Sequence, residues 1–108
     1  MTHDPHKAID YILKNSEKFA KAKAARIYLD EFRKSKKALL MSQSSEQTAV
    51  AREQWAYSHP EYLDLLEGIQ QAVEIEEKLK WEIIAAQARV EVWRTEQANN
   101  RYLEKATT

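Results

Sequence analysis

From Pro60 to about Leu103 nothing in the chain stops an α-helix except Gly68. A glycine inside a helix costs about 1 kcal/mol, too little to end one that packs against a partner. Along this stretch an apolar seam reads Leu65, Ile69, Ala72, Glu76, Leu79, Ile83, Ala86, Val90 and Trp93, and it continues through Gln97 and Asn100. The steps alternate between four and three residues, with Glu76 as a polar interruption. This is a heptad pattern, which turns one face of a helix toward another helix. Residues 60–103 at 1.5 Å each form a rod of roughly 66 Å. A compact globule of 108 residues is about 35 Å across. Such a rod does not fit inside the globule, so the fold has to be built along the helix.

The first part of the chain offers a second rod. Asp4 followed by Pro5 suits a helix start, with Asp as N-cap and Pro in the first turn. Ala8, Tyr11 or Ile12, Phe19, Ala22, Ala25, Leu29, Phe32 and Leu39 then recur at helical spacing. Asn15 and Ser16 both favour caps, but no Gly or Pro enforces a break there, so one helix and two are both open. The spacing predicts a helical region over 5–41, about 55 Å if continuous. Between the rods, "SQSSEQT" (42–48) is the most loop-like segment. Ser44 with Gln47 reads as a capping box, which predicts a loop over 42–44 and a short helix over 45–57. Ser58 with Glu61 reads as a second box, with Pro60 in its first turn. His59, preceding that proline, marks a break or kink. Residues 104–108 are expected to fray. One Gly and two Pro in the whole chain leave almost no other turn material.

The expectation is therefore an all-α single domain over 1–108, an elongated antiparallel helical hairpin or bundle of coiled-coil character. Two helices cannot cover both of two broad apolar stripes, so further copies of the chain are expected to complete the bundle. Charge supports the pairing of the rods. Residues 1–41 carry ten Lys/Arg and five Asp/Glu, and residues 42–108 carry seven and twelve. The halves thus stand at +5 and −5, and the net charge of zero argues against strong non-specific DNA binding. No apolar run approaches the ~20 residues of a membrane span. Absent cysteine and a polar N-terminus without a signal-peptide core fit a reducing cytoplasm.

No catalytic constellation emerges. His3-x-x-His6 sits where the chain end is expected to be loose, and His59 reads as a turn residue. Glu61-x-x-Asp64 and Glu74-x-x-Glu77 lie on one helix and point along a rod, whereas magnesium-dependent nucleotide hydrolases converge such pairs from two helices. There is no Glu-x-x-His for a di-iron site, and a single glycine excludes a glycine-rich phosphate loop. The chain is read as non-enzymatic, with no cofactor and no metal.

Two surfaces remain. In "FRKSKKALLM" (32–41), Arg33, Lys34, Lys36 and Lys37 form a basic cluster that could contact phosphates or simply be the solvated side of a helix. In "ARVEVWRTEQANNR" (88–101) the seam runs into an aromatic anchor and then into amides. Trp93, Arg94, Gln97, Asn100 and Arg101 are the candidate partner or subunit interface. A Trp flanked by Arg is a common binding anchor, and amides at seam positions select register at some loss of stability. The dull alternative is a helix end where the stripe stops, but Tyr102 and Leu103 resume apolar character beyond it.

The stretch from Glu61 to Arg101, with "YLDEFRKSKKALLM" before it, resembles small helical proteins encoded by temperate bacteriophages and prophages, chiefly in Glu91-Val92-Trp93-Arg94-Thr95 and Asn99-Asn100-Arg101. The resemblance covers most of residues 22–103 and carries no catalytic residues. It implies a bacterial host cytoplasm and a setting among early genes, often beside recombination functions. The expected function is an oligomeric helical interaction protein, an accessory to phage DNA recombination or replication or a binder of a host protein. The alternative is direct single-stranded DNA binding by the basic N-terminal helix.

Overall fold

The computed structural model describes residues 5–107, so Asp4 as a cap and His3 as a ligand fall outside the described residues. Three helices follow one another: α1 (Pro5–Gln43), α2 (Ala49–Ser58) and α3 (Pro60–Thr107). The described residues contain no strand. The expected all-α class is what the chain adopts. Its 48-residue α3 is about 72 Å long at the α-helical rise.

The chain divides into two compact units. One runs to Ala20 and resumes at Glu77; the other is Lys21–Glu76. In the second, Lys36 meets Glu61 and Arg26 meets Glu76. Positions fall along α1 as they rise along α3, so the arms are antiparallel. Beside them α2 closes a small core of Leu40, Ala56 and Tyr62, with Met41 and Trp55 packed against it. In the first unit, Ala8 of α1 and Ala86 of α3 are buried, and the Tyr11 hydroxyl donates to the Glu82 carboxylate.

The α3 seam lies where the heptads place it. Leu65, Ile69, Ala72, Leu79, Ile83, Val90 and Trp93 are partly covered, and Glu76 and Ala86 are buried. In α1 the expected stripe needs correction. Ala25 and Leu39 are exposed, while Arg26 is half-buried and Leu40 fully buried. One covered row of α1 runs Ala8, Ile12, Asn15, Phe19, Ala22, Arg26, Leu29, Lys36 and Leu40, and the expected Tyr11 and Phe32 are also partly covered beside it. The row keeps heptad spacing through polar residues, which a count of apolar residues skips.

Local chemistry explains the other departures. Asn15–Ser16 does not break α1. The Asn15 amide donates to the Tyr11 carbonyl at 2.8 Å and the Ser16 hydroxyl to the Leu13 carbonyl at 3.2 Å, so both side chains bond back into their own helix. α1 continues to Gln43 rather than ending at Met41, and the short helix begins at Ala49 rather than 45. Its cap is Thr48, whose hydroxyl accepts from the Ala51 N–H at 3.1 Å. Ser44 instead accepts from Glu46 N–H, which shapes a turn. The Ser58–Glu61 box does not form either. Ser58 donates to carbonyls of its own helix, and His59 caps α3 by accepting the Glu61 N–H on Nδ1 at 3.1 Å. His59 is extended (φ −68°, ψ 137°), as a residue before proline should be. Residues 104–107, expected to fray, are helical.

Candidate interaction surface

The first candidate surface belongs to the unit holding Glu77 onward. α3 positions Trp93, Arg94, Gln97 and Arg101 around one open recess of about 640 Å³, completed by Glu91, Thr95 and Ala98. Of the five residues singled out by sequence, Asn100 is the one outside this recess. It is exposed on the seam row, as is Gln97. Trp93 is partly buried and ends the covered seam; from Gln97 to Thr107 every residue is exposed. The amides therefore begin where cover ends, and a seam without cover has no use for leucine.

The arginines differ. Arg94 is already engaged, donating to Glu91 at 3.0 Å on its own helix. An exposed i,i+3 pair of this kind stabilises by only a few tenths of a kcal/mol, so a better acceptor displaces it easily. Glu74, Glu76 and Glu77 form a carboxylate-rich stretch of α3 that could accept from such arginines of another copy. Glu76 has another role, because Arg26 holds it through Nε at 2.5 Å and Nη2 at 3.1 Å. Glu77 accepts from the Trp81 indole N–H at 3.1 Å.

The second candidate surface lies within Lys21–Glu76. A recess of about 590 Å³ is lined by Arg33, Lys34, Lys37, Ala38, Met41, Tyr57 and Tyr62. Tyr57 stands edge-on to Tyr62, ring centroids 5.2 Å apart, and the Lys37 ammonium lies 4.8 Å above the Tyr57 ring. All four basic residues face carboxylates: Arg33 at 3.6 Å from Asp30, Lys34 at 3.6 Å from Glu31, Lys36 at 3.0 Å from Glu61 and Lys37 at 3.5 Å from Glu53. Lys36 is not part of the recess lining; it bridges α1 to α3. Hydrogen bonding to Tyr57, aided by Glu53, holds the Lys37 ammonium above its ordinary pKa. Lys36 in turn holds the Glu61 carboxyl below the usual range.

Sequence reasoning missed two features. The Arg26–Glu76 pair was legible in part, since Glu76 interrupts the seam and an arginine at a heptad position of the other arm is its natural partner. The tyrosines of the second recess carried no signal, because Tyr57 and Tyr62 meet only after α2 folds back. Among the described residues no group of three or more His, Asp or Glu could hold a metal ion, and no helix is long and apolar enough to cross a membrane. The described residues are thus all-α, with the end of α3 exposed from Gln97 onward. Compared with protein-family models, curated proteins and solved structures, the chain matches none.

Proposed function

We propose that this chain is a non-enzymatic, self-associating helical interaction protein, and that the Trp93–Arg101 stretch of α3 recognises a partner protein. The observation that carries the reading is the state of α3 at its end. The helix continues to Thr107 while every residue from Gln97 is exposed, so a rigid surface is presented with an aromatic anchor at its base. Arg94 and Arg101 offer planar donors for carboxylates of the partner, and Gln97 and Asn100 favour one register. The resemblance to helical proteins of temperate phages supports a bacterial cytoplasmic partner, from the phage recombination or replication apparatus or from the host.

Light scattering at micromolar concentration tests self-association, and a monomer mass would end that part of the reading. Trp93→Ala is expected to weaken partner binding by about 2 kcal/mol or more, the usual size of an anchor loss. Arg94→Glu is expected to weaken it with helix content unchanged. Parent-like binding by both variants would reduce the stretch to a plain helix end.

A second reading, single-stranded nucleic acid at the Tyr57 recess, is favoured by one exposed tyrosine beside three cations, the combination such binders use. The carboxylate facing each cation opposes it, because phosphate has to displace that carboxylate first. A gel shift with a salt titration decides: no shift at low salt removes this reading.

A further inference from the structure

On α3 the side turned away from the covered seam changes character at Trp81. Upstream, its register positions hold Glu67, Gln71, Glu74 and Lys78; from Trp81 onward they hold Trp81, Ala85, Ala88, Val92, Thr95, Asn99 and Tyr102. The steps again alternate four and three, so one continuous helix carries a second heptad seam roughly opposite the first. All seven residues are exposed. Trp81 is 61% accessible, Tyr102 73%, Val92 43%, and Ile84 on the flank 37%.

We infer that this second seam binds the same seam of a second copy of the chain, antiparallel, with the two-fold axis beside Val92. The inference rests on the proposed self-association and specifies where it occurs. Area is the first argument. At those exposures the two aromatics, Ile84, Val92 and the alanines present on the order of 500 Å² per copy. Two copies then remove about 1,000 Å² from water, the lower bound for a specific interface. Partner chemistry is the second. With Val92 facing Val92 of the second copy, Trp81 meets its Tyr102 and Ala88 its Thr95, so each large side chain falls on the other arm's aromatic and the small ones sit between.

Charge selects the direction. In the antiparallel register Arg89 faces Glu96 of the second copy, and symmetry makes this contact twice. Glu91 approaches its own copy near the axis, where each is already neutralised by its own Arg94 at 3.0 Å. A parallel in-register pair would instead set Glu77 against Glu82, twice. Like charges across such flanks oppose association and set orientation. The antiparallel pair also covers the otherwise open end of α3 while leaving Trp93, Gln97 and Asn100 on the opposite side of the helix for a different partner.

The chain has no cysteine, so engineered thiols report on this arrangement alone. Under mild oxidation Val92→Cys is expected to form a disulfide-linked dimer. Ala88→Cys and Thr95→Cys are expected to remain unlinked separately and to cross-link when mixed. Val92→Glu is expected to raise the dimer dissociation constant about tenfold or more with helix content retained, whereas Gln70→Glu, exposed on α3 outside this seam, leaves dimerisation intact. Self-linking of Ala88→Cys alone would overturn the antiparallel pairing. A dimeric parent, with Val92→Glu equally dimeric and Val92→Cys unlinked, would overturn this interface while leaving self-association standing. A parent that is monomeric at every concentration would overturn both.

Discussion

The unit Lys21–Glu76 and the last turns of α3 are built from the same residue classes and reach opposite outcomes. In Lys21–Glu76 three helices converge, Leu40 has no accessible surface, and polar seam residues find each other, Arg26 with Glu76 and Lys36 with Glu61. From Gln97 to Thr107 every residue of α3 is exposed. Tyr102 and Leu103 lie open there, and the seam positions hold amides. The difference teaches that heptad spacing alone does not report cover. Along α3 the chemistry at the seam reports it: apolar, or charged with a counter-charge from α1, where the seam is covered, and amide at the exposed Gln97 and Asn100.

The largest test of this contrast is a pair of leucine truncations. Leu40→Ala removes a fully buried side chain and is expected to cost about 3 kcal/mol, within the usual spread for a core leucine. Leu103→Ala, on the open end, is expected to change stability by less than about 0.5 kcal/mol. Urea denaturation followed by circular dichroism measures both; equal costs would break the contrast. Next in size is the seam pair. Glu76→Gln keeps the shape and removes the charge that Arg26 grips through two nitrogens. Arg26 keeps 31% of its side chain accessible, so water softens the loss, expected at about 1–2 kcal/mol. An unchanged midpoint would show that the pair sets register without adding stability.

How much of this was legible in sequence follows from which signals are local. The α3 seam was read residue by residue through Trp93, because apolar periodicity is written in the residues that create it. The α1 seam was misread at Ala25 and Leu39, because its true phase passes through Asn15, Arg26 and Lys36, whose polarity hides them from a hydropathy count. The start of the short helix and the capping residues were misassigned for another reason, while the starts at Pro5 and Pro60 were read correctly. Ser44, Thr48, Ser58 and His59 can all cap, and which one does so depends on where the loop turns. The division into two units and the Tyr57 recess have no local signature at all, since both depend on where α2 lands. Of the proposed site, Trp93 with its arginines and amides is a reading from residue types alone; the structure adds that Trp93 is partly covered and that Arg94, Gln97, Asn100 and Arg101 are exposed.

Gly68 gives a smaller test inside the better-packed unit. It sits in the body of α3, has no positive φ, and a Cβ built on it meets nothing within 4 Å. No packing or backbone reason requires glycine there. Gly68→Ala is therefore expected to raise stability by about 0.5–1 kcal/mol, from helix propensity and a less free unfolded chain. A loss in the melting midpoint would reveal a close neighbour at this face that the single chain does not show.

The smallest effects lie at the two ends of the pH scale, and they report on the two units separately. Glu61, in Lys21–Glu76, has a carboxyl pKa lowered by its hydrogen bond and charge contact with Lys36. A lowered folded-state pKa means that the contribution is present above the unfolded value of about 4.3. It is lost as pH falls through the folded value, because the unfolded chain then takes up the proton first. Tyr11, in the other unit, has its pKa raised, first by its hydrogen bond to Glu82, then by burial and by the charge of Glu82. Its contribution is present below the unfolded value of about 10 and is lost as pH rises through the folded one. Lys37 shifts in the same alkaline direction within Lys21–Glu76, so the alkaline limb needs a reference in which one group is silent. Tyr11→Phe supplies it. Both groups are exposed enough for salt to screen them, so the expected signals are small displacements of the stability curve. Glu61→Gln is expected to flatten the acid limb and leave the alkaline limb unchanged, and Tyr11→Phe to do the reverse. Stability measured against pH for the three chains checks this. If Glu61→Gln moves both limbs equally, the two units do not titrate independently, and the contrast between Lys21–Glu76 and the rest of the chain fails at its weakest interactions.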